Sequence, residues 1–125
     1  MNPQILVIED HEENRRILFD LLTSARYDMV EAVTGEDGLR MVEAHRPDVI
    51  LMDIQLPGLD GYEVTRRMKA NPALRHIPII AVTSYALSGD DVKAFEAGCD
   101  AYFAKPYDPL ALLTKVREYI ASSGR

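Results

Sequence analysis

The sequence holds one cysteine, three histidines and no tryptophan. A single cysteine, Cys99, excludes an internal disulfide, and a lone thiol of this kind is expected to pack as a small apolar residue. His11, His45 and His76 lack a metal-ligand spacing, so they read as surface or loop histidines, and neither a zinc site nor another soft-metal site is implied. No signal-peptide pattern and no apolar run of membrane-spanning length occurs, which points to a soluble protein of a reducing compartment, the cytoplasm, with no membrane insertion. There is no basic cluster, and the net charge is −6, so a broad phosphate-backbone footprint is excluded and nucleic acid is not expected as a partner. Internal repeats, low-complexity segments and long linkers are absent too. The 125 residues, 47% of them apolar, suit one domain with a real core, residues 1–125, with no room for an output domain.

What the chain does have is alternation. Val49-Ile50-Leu51-Met52 is apolar without polar interruption, as in a strand buried on both faces, and it stops at Asp53 before a Pro and Gly loop. Ile5 to Ile8 ends likewise in Glu9-Asp10, Ile79 to Val82 in Thr83, and Ala101 to Ala104 in Lys105-Pro106. Met29 to Ala32 is a weaker strand. Between these runs lie amphipathic stretches: Ile17, Leu18, Leu21 and Leu22 recur at helical spacing from Asn14 to Ser24. Thr34 with Asp37 resembles an N-terminal cap, and that second helix should end before Pro47. Asp60 with Glu63 predicts a reciprocal cap for a third helix, with Val64 and Met68 inward and Asn71-Pro72 as its stop. Ser88 with Asp91 is expected to cap a fourth, which carries Val92 and Phe95 on one side and ends at Gly98. Asp108-Pro109 opens a fifth whose stripe is Leu112, Leu113, Val116 and Ile120.

Five strand–helix units in strict alternation predict an α/β doubly wound fold, a five-stranded parallel sheet with five helices on its two faces. Ligands of such sheets bind outside the carboxyl ends of the strands, where every reactive residue named above falls. Glu9, Asp10 and Asp53 would then share one crevice, and each close pair of like charges costs about 4 kcal/mol at 4 Å and an effective dielectric near 20. Magnesium, a hard ion that takes one or two carboxylates and keeps several waters or phosphate oxygens, is the natural counter-charge. With the Lys105 ammonium and the Thr83 hydroxyl nearby, Asp53 has the surroundings of a nucleophile that accepts a phosphoryl group.

Four ordered motifs, Ile5-Leu6-Val7-Ile8-Glu9-Asp10, Leu51 to Gly61, Pro78 to Thr83 and Gly98 to Pro106, make the chain resemble a bacterial two-component response-regulator receiver domain of the stand-alone type. The resemblance implies a flavodoxin-like strand order of 2-1-3-4-5, Asp53 as phosphoacceptor, Asp10 as a direct magnesium ligand, Glu9 as one acting through water, and the Gln55 backbone carbonyl as another. It also implies Thr83 and Tyr102 as switch residues, Lys105 as the phosphate-pairing cation, and a cis peptide before Pro106. The implied partners are a histidine kinase or histidine phosphotransfer protein upstream and a protein target downstream, bound at the face of helix four, strand five and helix five, with the protein itself a monomer or weak dimer. Such a protein is a signalling switch that catalyses its own phosphorylation and dephosphorylation, not a conventional enzyme. Ser84 stands where the family often has alanine, and Gln55 and Tyr85 occupy positions that tune phosphoryl lifetime. An aspartyl-nucleophile phosphatase would need a second Asp at position 55, and a flavin or nucleotide module would need a Gly-rich or Ser/Thr-rich loop in place of Glu9-Asp10-His11-Glu12-Glu13.

Overall fold

A computed structural model describes residues 2–83 and 89–122. The elements run β1 (Gln4–Ile8), α1 (Glu12–Ser24), β2 (Asp28–Ala32), α2 (Gly35–His45), β3 (Val49–Asp53), α3 (Gly61–Ala70), β4 (Ile79–Thr83), α4 (Asp90–Ala97), β5 (Ala101–Ala104) and α5 (Pro109–Ser122). All strands are parallel, in the order β2-β1-β3-β4-β5. The expected α/β doubly wound sheet is thus present, and its order reverses between β1 and β3, the position at which such sheets open a crevice.

Strand side chains alternate between faces, so one continuous apolar run feeds two cores. Leu6, Ile8, Ile50, Met52, Ile79 and Ala81 pack with Val42 of α2, Val64 and Met68 of α3 and Ala94 of α4. Ile5, Val7, Val49, Leu51, Ile80 and Val82 pack on the other face with Leu18 and Leu22 of α1 and Leu112, Leu113 and Val116 of α5. Burial on both faces explains the uninterrupted apolar runs Ile5 to Ile8, Val49 to Met52 and Ile79 to Val82.

The caps are local consequences of the sequence. Thr34 accepts a hydrogen bond from the Asp37 amide at 3.1 Å, Asp60 from the Glu63 amide at 2.9 Å, and Asp108 from the Leu110 amide at 3.0 Å. Three expectations need correction. Helix α1 begins at Glu12, two residues before the predicted Asn14, because two acidic residues in its first turn suit the positive end of the helix dipole. The Asp60 cap is not reciprocal: the Glu63 carboxylate turns forward to Arg66 and Arg67 at 3.2 and 3.1 Å, partners one turn on that an amide cannot match. In α4 the apolar side does not face the core. Val92 and Phe95 are 54% and 50% exposed, while Ala94 and Ala97 are buried, since small residues let the helix approach the sheet closely. The predicted cap Ser88 and the flanking residues Ser84 and Tyr85 lie outside the described residues; α4 starts after Gly89, which forms no side-chain cap.

Candidate functional site

Parallel strands all end on one edge, and the register decides which side chains meet there. Ile8 pairs with Met52, so Glu9 and Asp10 emerge beside Asp53. Asp53 pairs with Val82 and Thr83 with Ala104, which brings Thr83 and then Lys105 along the next two strand ends. The Lys105 amide donates to the Thr83 carbonyl at 2.8 Å, and the Lys105–Pro106 peptide is cis. Tyr102, on β5 opposite Ala81, packs partly buried against the α2–α3–α4 core.

The centre of the crevice is acidic. One ligand atom from each of Glu9, Asp10, His11 and Asp53 lies within 4.8 Å of all the others. Asp53 is only 4% exposed. Burial is the main cause that raises its pKa to about 6, the Gln55 amide bond at 3.0 Å opposes the rise, and the charges of Glu9 and Asp10 add to it. Glu9 is buried and held in place: the His11 amide donates to its Oε2 at 2.8 Å, Asn14 Nδ2 donates to its Oε1 at 3.3 Å, and Arg15 reaches its carbonyl at 2.9 Å. The start of α1 therefore orients the first carboxylate of the site. Among the described residues Asp10 Oδ1, though enclosed, has no hydrogen-bond partner, so a buried anionic oxygen lacks the donor such an atom ordinarily has.

That orphaned oxygen, within a set of three carboxylates, is what a hard divalent cation fits. Glu9, Asp10 and Asp53 would hold it, directly or through water, and the Gln55 carbonyl lies in the loop after β3, two residues beyond Asp53. Thr83 is buried at the end of β4. The Tyr102 hydroxyl is shifted upward, mainly by burial and then by Asp90 and Asp91 at the start of α4. Tyr62 ties α3 to α4 by donating to Asp90 Oδ1 at 3.1 Å, and burial together with that carboxylate pushes its hydroxyl up to about 12.

His11 and Asn14 are site residues that the sequence reading missed. His11 is indeed a surface residue, with its side chain 66% exposed, but its ring leans onto the carboxylates, Nδ1 standing 3.3 Å from Glu9 and 3.2 Å from Asp10. The reading of His11 as a surface histidine holds, and its nearness to the carboxylates adds to that reading. The available signal was adjacency: a histidine directly after two acidic residues at a strand end needs no second histidine to join them.

Known proteins agree with this arrangement. The family model for the response regulator receiver domain matches residues 5–117. The polar-differentiation response regulator DivK of Brucella anthropi is 37% identical over 123 residues, 98% of this chain and all of that protein. Among solved structures, a putative response regulator of Chloroflexus aurantiacus superposes with a TM-score of 0.91 at 30% identity, over 97% of this chain and 99% of that one. The receiver domain of a sensor histidine kinase from Pseudomonas aeruginosa, which has a magnesium ion coordinated in its active-site cleft, gives 0.89 at 36% identity with the same shares covered. No helix among the described residues is long and apolar enough to cross a membrane. With its sheet order, its acidic crevice and these relatives taken together, the chain belongs to the response regulator receiver domain family of two-component signalling.

Proposed function

We propose that residues 1–125 act as one receiver domain in which Asp53 takes a phosphoryl group from the phosphohistidine of a histidine kinase or histidine phosphotransfer protein, in a magnesium-dependent reaction. The observation that carries this reading is the buried Asp53 carboxylate, at the end of β3, within 4.8 Å of the ligand atoms of Glu9 and Asp10. A bound magnesium ion would neutralise charge on the phosphoryl oxygens and keep the acidic set compatible with them. In the transfer, an Asp53 carboxylate oxygen forms a bond to phosphorus while the bond from phosphorus to the donor imidazole nitrogen breaks, its electron pair leaving with the nitrogen. The product is an acyl phosphate on Asp53. Burial, which disfavours the free carboxylate, favours its neutralised or ion-paired forms, and the Gln55 amide at 3.0 Å fixes the carboxylate's orientation.

Lys105 would pair with the transferred group and Thr83 would donate its hydroxyl to it, both charge-assisted bonds. Movement of Thr83 toward the acyl phosphate would make room for the Tyr102 ring, altering the surface of α4, β5 and α5. Half-exposed Val92 and Phe95 on α4 and Leu110, 69% exposed at the start of α5, supply apolar anchors on that face for a downstream protein. Acetyl phosphate with magnesium tests the reaction: the wild type should gain one phosphoryl group, the gain should vanish in excess chelator, and Asp53→Asn should not respond in either condition.

A further inference from the structure

Receiver-type acidic crevices are read as all-oxygen sites, yet here an imidazole nitrogen stands in the same cluster. We propose that His11 is a direct nitrogen ligand of the divalent cation, so that this site prefers imidazole-seeking first-row ions, iron through zinc, beyond the preference its carboxylates alone would give. The proposal rests on the reading of the Glu9, Asp10 and Asp53 cluster as a divalent-cation site.

Three observations carry it. First, the geometry suits one ion. Ligands about 2.1 Å from a common octahedral centre lie about 3 Å apart when adjacent and about 4.2 Å apart when opposite. His11 Nδ1 is 3.2 Å from Asp10 Oδ1 and 3.3 Å from Glu9 Oε2, and all four ligand atoms fall within 4.8 Å. Second, the ring is already directed at the carboxylates, its Nδ1 sharing a hydrogen bond with Glu9 Oε2 at 3.3 Å. His11 occupies the N-cap of α1 but makes no side-chain cap bond, while its backbone amide is pinned to Glu9 Oε2 at 2.8 Å, so the ring is presented to the carboxylates by a fixed backbone. Third, its approach to Asp10 is not a hydrogen bond. Asp10 Oδ1 is enclosed and has no hydrogen-bond partner among the described residues, although the ring nitrogen stands 3.2 Å away. Two donor atoms at that separation with no proton aligned between them are arranged as neighbouring ligands are.

The chemical consequence is selectivity. Magnesium is served by oxygen and gains little from an imidazole, whereas cobalt and nickel gain progressively from nitrogen, and zinc gains as well. Because any mixed site favours the later ions, the discriminating quantity is how their affinity changes, relative to that for magnesium, when only the ring is removed. His11→Asn removes it while leaving a residue suited to an N-cap, so the fold is retained.

The test uses calorimetric titration with magnesium and with nickel in a His45→Gln, His76→Gln background, which leaves His11 as the only imidazole, with and without His11→Asn. Nickel affinity should fall by about tenfold or more while magnesium affinity changes by less than about threefold. Pulsed electron paramagnetic resonance of bound manganese should show coupling to an imidazole nitrogen that disappears in His11→Asn. Equal changes for both ions, or no nitrogen coupling, overturn the proposal; an equal rise for both would mean that the ring merely competes with the cation. If magnesium binds and Asp53 is phosphorylated but the nickel-to-magnesium ratio does not move, this proposal fails and the phosphoacceptor reading stands. Nickel binding with nitrogen coupling in a protein that ignores magnesium would mean the reverse.

Discussion

At the scale of single residues, the crevice is held in tension by Asp53. Its pKa in the folded protein is about 6 against an ordinary 3.8, so the folded state disfavours its ionised form. The resulting penalty is complete above about pH 6 and absent below about pH 3.8. In chelator, Asp53→Asn should therefore stabilise the protein at pH 7.5, by about 3 kcal/mol at most, and the gain should fade to near zero by pH 4. Urea unfolding of both proteins at the two pH values measures the difference, and a gain independent of pH would contradict the assignment. The carboxylates themselves were legible in the sequence because each ends an uninterrupted apolar run. The nearness of His11 to them was not, because a lone exposed histidine carries no periodicity and its contact depends on how β1 turns into α1.

At the scale of elements, the strands and helices followed from patterns that local chemistry enforces, and the misses lie where tertiary packing overrode them. In α4 the face that buries is chosen by how near the helix must come to the sheet, so Ala94 and Ala97 go inward and Phe95 does not. Lys69 is a second case. Its ammonium donates at 3.1 Å to the carbonyls of Arg75 and Ile77 and to Asp100 Oδ2, the same oxygen that accepts the Ile79 amide at 2.8 Å. One side chain thus joins the end of α3, the approach to β4 and the approach to β5, through partners 6 to 31 residues away. Lys69→Met keeps the stem and loses all three bonds, and should cost about 2–3 kcal/mol in chemical denaturation; a cost near zero would mean the contacts are only surface pairs. Gly61 fixes the other side of the crevice. A Cβ there would stand 2.7 Å from both the Asp53 carbonyl oxygen and Ile54 Cα, backbone atoms that cannot yield without moving Asp53. Gly61→Ala should destabilise by about 1–3 kcal/mol and also slow phosphorylation, whereas full stability and full rate would show that the β3–α3 loop adapts freely.

For the whole molecule, the question is how a charge at the strand ends reaches a surface. Moving a two-state equilibrium from 1:99 to 99:1 requires about 5.5 kcal/mol of differential binding, and two or three charge-assisted bonds from Lys105 and Thr83 are of that order. The Tyr62 bond to Asp90 holds the start of α4 in the arrangement described here. Thr83→Ala should accept phosphate nearly as the wild type does but transmit it poorly. Beryllofluoride-induced NMR shifts over residues 89–97 and 108–120 should shrink by about half or more, and an undiminished set of shifts would remove the hydroxyl from the coupling. The alternation of elements revealed the sheet and its reactive edge. The strand order came only with the resemblance of the motifs, since periodicity does not say which strands are neighbours. The most direct test of the account is to locate the phosphoryl group. After reaction with acetyl phosphate and magnesium, borohydride reduces an acyl phosphate to an alcohol and so marks the acceptor as homoserine. Peptide mapping should find that mark at Asp53 alone, and a mark at Glu9, Asp10 or any other carboxylate with Asp53 unchanged would contradict it.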